Sequence, residues 1–107
     1  MREFSAPDPP LPALWMPYWK SFTRALRAIP RSERTIKAYG YALRDLPRFL
    51  EPAPPLESVT REQMESFLAW LHGRLRPNGV AIHYRGLRRF FNWLVDEEEI
   101  DESPMRR

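Results

Sequence analysis

The stretch Pro77–Val95, PNGVAIHYRGLRRFFNWLV, decides the fold. At helical spacing Val80, Tyr84, Leu87, Phe91 and Leu94 recur at i, i+4, i+7, i+11 and i+14, which predicts one apolar face. Arg85, Arg88, Arg89 and Asn92 fall on the other side. Between Arg74 and Val95 there is no acidic residue. One helix therefore offers an aromatic and aliphatic stripe to a core and an arginine-rich stripe to something outside it. Uncompensated positive charge of this kind points to an anionic partner, nucleic acid first, although a merely solvated amphipathic face would read the same way.

Working towards the N-terminus, Thr60 and Gln63 have the spacing of a capping box, and Met64, Phe67, Leu68, Leu71 and Leu75 form the next apolar stripe. This predicts a helix from Thr60 to about Arg74 with no basic stripe, and a structural role for it. The segment Glu51–Ser58, EPAPPLES, reads as a proline-rich connection. Before it, Glu33–Leu50 places Ile36, Tyr39, Leu43, Leu46 and Leu50 on one face. Arg34, Lys37, Tyr41, Arg44 and Arg48 repeat the same spacing two residues out of phase. Two residues turn the helix by about 200°, so this second basic stripe lies opposite the core. Ser32 is the expected N-cap, Pro47 is expected to kink or close the helix, and Gly40 is a weak point or a close-packing point.

Trp15, Tyr18, Trp19, Phe22, Leu26 and Ile29 predict a first helix from about Pro17 to about Ala28, stopped by Pro30. Residues 1–14 carry four prolines by position 12 and read as a flexible leader. On the other side of the deciding stretch, Asn78 is the expected N-cap, and residues 96–107 read as an acidic linker after a folded body over 15–95. No stretch alternates at period two, so the expectation is a compact all-α four-helix bundle.

The totals agree. At 107 residues, 43% of them hydrophobic, the chain can build one modest core and not two. The formal net charge of +3 hides an asymmetry, because the run DEEEIDE at 96–102 holds six of the fourteen acids. The remainder sets 17 basic against 8 acidic residues. There is no cysteine and only two histidines, so neither a disulfide framework nor a metal site is expected, and no cofactor. No apolar run reaches membrane-span length, and the charged, proline-rich start does not read as a signal peptide; a cytoplasmic protein is expected.

Two helices share a layout of polar cap, spacer, and apolar face backed by a basic stripe. The first is Ser32-Glu33-Arg34-Thr35-Ile36-Lys37-Ala38-Tyr39. The second starts Arg76-Pro77-Asn78-Gly79-Val80 and continues to Leu87-Arg88-Arg89-Phe90-Phe91-Asn92-Trp93-Leu94, with Ser103-Pro104-Met105 as an exit. This pattern, over about residues 17–105, resembles the SAM-like core-binding domain at the N-terminus of tyrosine recombinases, the phage-integrase and Xer-like enzymes. Asn78-Gly79 stands where the family often has a second Ser/Thr cap, and Ser103-Pro104 where it has Asn-Pro. The resemblance implies that the second and fourth helices cross near the major groove of double-stranded DNA, beside other recombinase protomers. It also implies that strand cleavage is done by a tyrosine in a C-terminal catalytic domain that this chain lacks. None of Tyr18, Tyr39, Tyr41 and Tyr84 is expected to be that nucleophile.

The expected DNA contacts are Arg34, Thr35, Lys37, Tyr41, Arg44, Arg48, Arg85, Arg88, Arg89 and Asn92, on the two helices read as carrying basic stripes. Most would hold phosphates; Asn92 and one of Arg88 and Arg89 have the chemistry to read bases. Tyr39 and Tyr84 are read as core aromatics and His83 as a core-edge histidine. Trp70 and Trp93 would either form a patch for a neighbouring subunit or pack under a loop. A helical module binding an acidic protein partner is the alternative. A stand-alone helix-turn-helix regulator lacks its short turn and recognition helix, and no phosphate loop or His/Asp/Glu cluster supports an enzyme.

Overall fold

The computed structural model describes residues 11–30 and 33–106. Four α-helices carry the fold: α1 (Met16–Arg27), α2 (Glu33–Phe49), α3 (Arg61–His72) and α4 (Pro77–Asp96), with one 3-10 turn at Leu56–Ser58 between α2 and α3. No strand occurs among the described residues. The expected cap Ser32 and residues 1–10 of the expected leader lie outside them.

Each helix buries one face in a shared core. Phe22, Leu43, Leu46, Phe67, Leu87, Phe90, Phe91 and Leu94 are all essentially inaccessible to water. The aromatic rings organise it: Phe90 meets Phe22 edge-on at 5.2 Å and Phe91 at 5.5 Å, in the tilted geometries that ring quadrupoles favour. Trp15, fully buried, donates from its indole nitrogen to the carbonyl of Pro54 at 2.8 Å. That bond ties the entry of α1 to the proline-rich connection, and Leu11 is buried beside it. Leu11, inside the segment read as leader, is therefore part of the packed body.

Helix ends explain several differences from the sequence reading. The backbone closes α1 with bonds from Ala28 and Ile29 back to Ala25 and Leu26, three residues earlier. The tighter turn rotates Ile29 off the stripe, and it stands 52% exposed. Likewise α3 stops at His72, so Leu75 leaves its face and is exposed. Thr60 and Gln63 do form the capping box, with bonds of 3.1 and 2.9 Å. Pro47 sits inside α2, which runs on to Phe49, and Leu50 still bonds to Leu46. For α4 the N-cap is Arg76 and not Asn78: Pro77 occupies the first turn, where its fixed φ suits the helix and its missing N–H is not needed.

The buried arc of α4 is wider than the expected stripe, and displaced. It comprises Val80, His83, Gly86, Leu87, Phe90, Phe91 and Leu94, while Tyr84 stands at the rim, exposed. The displacement follows α2, which packs against the side of α4 that carries His83 and Gly86. Beyond α4 the chain does not leave the bundle. The backbone N–H of Glu99 bonds to Leu94 and that of Glu98 to Val95, while Glu98 adopts a left-handed φ of 61°. This is a Schellman closure. It turns the acidic run back so that Ile100, Ser103 and Pro104 are buried.

Candidate nucleic-acid interface

On α4 the four expected contact residues, Arg85, Arg88, Arg89 and Asn92, are all exposed. Their presentation follows from the arc beneath: burying Leu87, Phe90, Phe91 and Leu94 forces the intervening residues outward. None of the three arginines has an ion pair among the described residues. The first acid on the helix is Asp96, at its last residue.

The stripe on α2 is more compensated. Arg34 is exposed, and Thr35, Lys37 and Arg44 are engaged by neighbours. Arg44 lies with its guanidinium 4.9 Å from the ring centre of Tyr41 and donates to Asp45 at 3.1 Å. Arg48 approaches the same carboxylate at 3.9 Å. Asp45 is the sole acid between Glu33 and Glu51, and it draws two of the stripe's arginines to itself. Its second oxygen meets Nε2 of His83, from α4, at 3.0 Å. Burial pushes the Asp45 carboxyl up, yet hydrogen bonds from His83 and Arg44, with their charges, outweigh it and hold the group below the usual carboxylate range.

Two grooves along α4 include Arg88 and Asn92. One, of about 490 Å³, has Leu26 of α1, Ile29 just beyond that helix and Tyr39 of α2 facing Arg85, Arg89 and Trp93. The other, of about 790 Å³, sets Tyr84, Arg88 and Asn92 against Asp96 at the end of α4 and against Asp101 and Glu102 of the folded-back acidic run. The structure thus brings Arg85, Arg88, Arg89 and Asn92 together on one helix face, and leaves Arg44 and Arg48 gathered around Asp45.

Other expectations sort as follows. Tyr39 is half-buried against the core, as its place on the apolar stripe implies, and Tyr41 is exposed. Trp93 packs on Phe22 at 5.5 Å, and Trp70 on Phe49 at 5.3 Å with Arg74 over its face at 4.4 Å. Basic side chains are not confined to two helices: Lys20 and Arg24 of α1 are exposed too, and Arg27 pairs with Glu33 at 3.0 Å. The sequence reading passed over Asp45, for which its isolation among basic residues was a signal, and gave His83 no partner.

Among the described residues no cluster of His, Asp or Glu is placed to hold a metal ion, and no helix is long and apolar enough to cross a membrane. Comparison with known proteins gives one positive result. No curated protein and no solved structure matches the chain. The family model of the phage integrase N-terminal SAM-like domain matches residues 19–101. Four helices without a described strand are the architecture this requires, and the chain belongs to the phage integrase N-terminal SAM-like domain family.

Proposed function

We propose that this domain holds double-stranded DNA for a site-specific tyrosine recombinase, with α4 as the main grip and α2 beside it. The observation that carries the reading is the exposed face of Arg85, Arg88, Arg89 and Asn92, which meets no acid before Asp96 at the end of α4, on a helix whose opposite face is buried. Such a face cannot slide or re-aim without unpacking the core, so its charges are presented at fixed spacing. Arginines of this kind neutralise phosphates and release counterions. Asn92, at the centre of the face, has the paired donor and acceptor that recognise adenine. Arg34, Thr35, Lys37, Tyr41, Arg44 and Arg48 add a second, weaker line on α2, weakened where Asp45 compensates it.

In this reading the body from Leu11 to Arg106 is the DNA-holding module, in the cytoplasm and alongside other protomers. Strand cleavage belongs to a catalytic domain of the recombinase and to none of the tyrosines here. The alternative is an acidic protein partner, and the groove where apolar Ile29 and Leu26 face Arg85 and Arg89 favours it.

A titration of duplex DNA against salt separates the two. The wild-type domain should bind with a steep salt dependence. The Arg85→Ala, Arg88→Ala, Arg89→Ala variant should lose about 2–3 units of the log–log salt slope, near 0.9 for each phosphate released. Unchanged binding by a folded triple variant removes α4 from the interface. No binding by either at low salt sinks the DNA reading of this domain.

A further inference from the structure

Between the two proposed DNA-facing helices lies a polar contact partly buried in their seam. His83 is only 8% exposed. Its Nδ1 stands 3.2 Å from the carbonyl oxygen of Gly79, one turn earlier on α4. Its Nε2 stands 3.0 Å from Oδ2 of Asp45 on α2. Both neighbours are hydrogen-bond acceptors: a carbonyl oxygen has no proton to give, and an ionised carboxylate has none either. A neutral imidazole carries a single N–H and can satisfy one of them. The imidazolium satisfies both.

The surroundings fit a charged ring. Asp45 supplies the counter-charge, and its other oxygen accepts from Nε of Arg44 at 3.1 Å and lies 3.9 Å from Arg48. From α4 itself the ring meets the Gly79 carbonyl. Among the described residues no other charged group bonds to the ring. One carboxylate is therefore shared by Arg44, Arg48 and the imidazole of His83.

We propose that His83 and Asp45 are positioning residues: a charged imidazolium–carboxylate clamp that fixes α2 against α4 and ties the DNA grip to the proton on His83. The coupling to DNA rests on the function proposed above; the clamp does not. Phosphates lying over the two helices favour a cation in the seam, so DNA and the proton support one another's binding, reciprocally. Loss of the proton removes one positive charge from beneath the interface and leaves one of the two acceptors without its donor.

Two measurements decide it. The first is ¹⁵N NMR of the imidazole nitrogens in the DNA-free wild-type domain at neutral pH. Two protonated ring nitrogens on His83 are expected; one unprotonated nitrogen overturns the clamp. The second is DNA affinity from about pH 6 to about pH 9, the range histidine commands, for wild type, His83→Gln and Asp45→Asn. Wild-type affinity should fall with rising pH about threefold or more beyond the fall in His83→Gln, up to tenfold per pH unit for one linked proton. Asp45→Asn should shrink the linkage, since an amide can present either a donor or an acceptor to the ring. The exposed His72 stays in every variant and serves as internal control. Equal pH profiles in wild type and His83→Gln overturn the coupling. Absence of DNA binding in all three at every pH overturns it together with the DNA reading, while the ring spectrum still judges the clamp.

Discussion

Gly86 of α4 is a notch cut for Tyr39 of α2. A Cβ at position 86 would stand 2.7 Å from Cδ1 of the tyrosine ring, 3.1 Å from Cγ and 3.3 Å from the tyrosine Cα. The ring could swing away, but the Cα belongs to a packed helix and cannot. Helix propensity alone would make Gly86→Ala stabilising by about 1 kcal/mol. Overpacking of a seam costs about 1–3 kcal/mol. The contact should prevail, leaving Gly86→Ala less stable by up to about 2 kcal/mol in urea denaturation. In a Tyr39→Ala background the two ring contacts are gone and only the 3.3 Å approach to Cα remains, so the same change should do less harm, a coupling that a double-mutant cycle reads directly. A stabilised Gly86→Ala single variant would show that the helices separate freely at this point.

Asp45 should govern the acid limit of the fold. Its carboxyl is held below the usual range, so the folded chain binds that proton less readily than the unfolded chain does. The stabilisation is therefore complete above about pH 4, the unfolded-state value, and is lost as pH falls through the lower folded value. Asp45→Asn should flatten the acid limb of a stability–pH curve. Glu33, also lowered by its hydrogen bonds from Arg27 but fully solvated, is the comparison: Glu33→Gln should leave the limb almost unchanged.

Position 98 offers a gain. Glu98 holds the left-handed place of the Schellman closure at φ 61°, where a side chain is strained and glycine is not. Glu98→Gly relieves that strain at the expense of a more flexible unfolded chain, for a net gain of about 0.5–1 kcal/mol. A rise of about 3–6 °C in Tm is expected for a domain of this size. A fall would mean that the turn is not formed in solution.

These sites mark what was legible in the sequence. Periodicity gave four helices and most of the core, since Leu43, Phe67, Leu87 and Phe91 each recur on a stripe that tertiary packing then uses. It misplaced Tyr84, passed over Gly86 and put His83 at the core edge without its partner, because a hydrophobic pattern scores side chains and cannot register a notch or a satisfied polar contact. Ile29 and Leu75 failed for another reason: they lie two and three residues past a helix end, where the angular relation breaks. Arg85, Arg88 and Arg89 could be read as an outward face because no acid interrupts them. Arg44 and Arg48 look alike in sequence, but their engagement by Asp45 depends on side-chain reach, which spacing does not encode.

The acidic run should limit where DNA can lie on α4. Ile100, Ser103 and Pro104 are buried and the Schellman turn is closed, so Asp101 is held across a groove from Arg88, beside Asp96 at the end of α4, rather than moving with a loose tail. Fixed like-sign charges repel phosphate and attract the arginine that would meet it. Asp96→Asn with Asp101→Asn should therefore raise DNA affinity about two- to fivefold at low salt, as a local field effect, without altering the fold. The gain should fade by about 0.3 M salt, where screening shortens the reach of exposed charges to under about 6 Å. In an Arg88→Ala background most of it should vanish, since the arginine whose charge is restrained is gone. An equal gain with and without Arg88 would place the effect in the net charge of the domain and not in this groove.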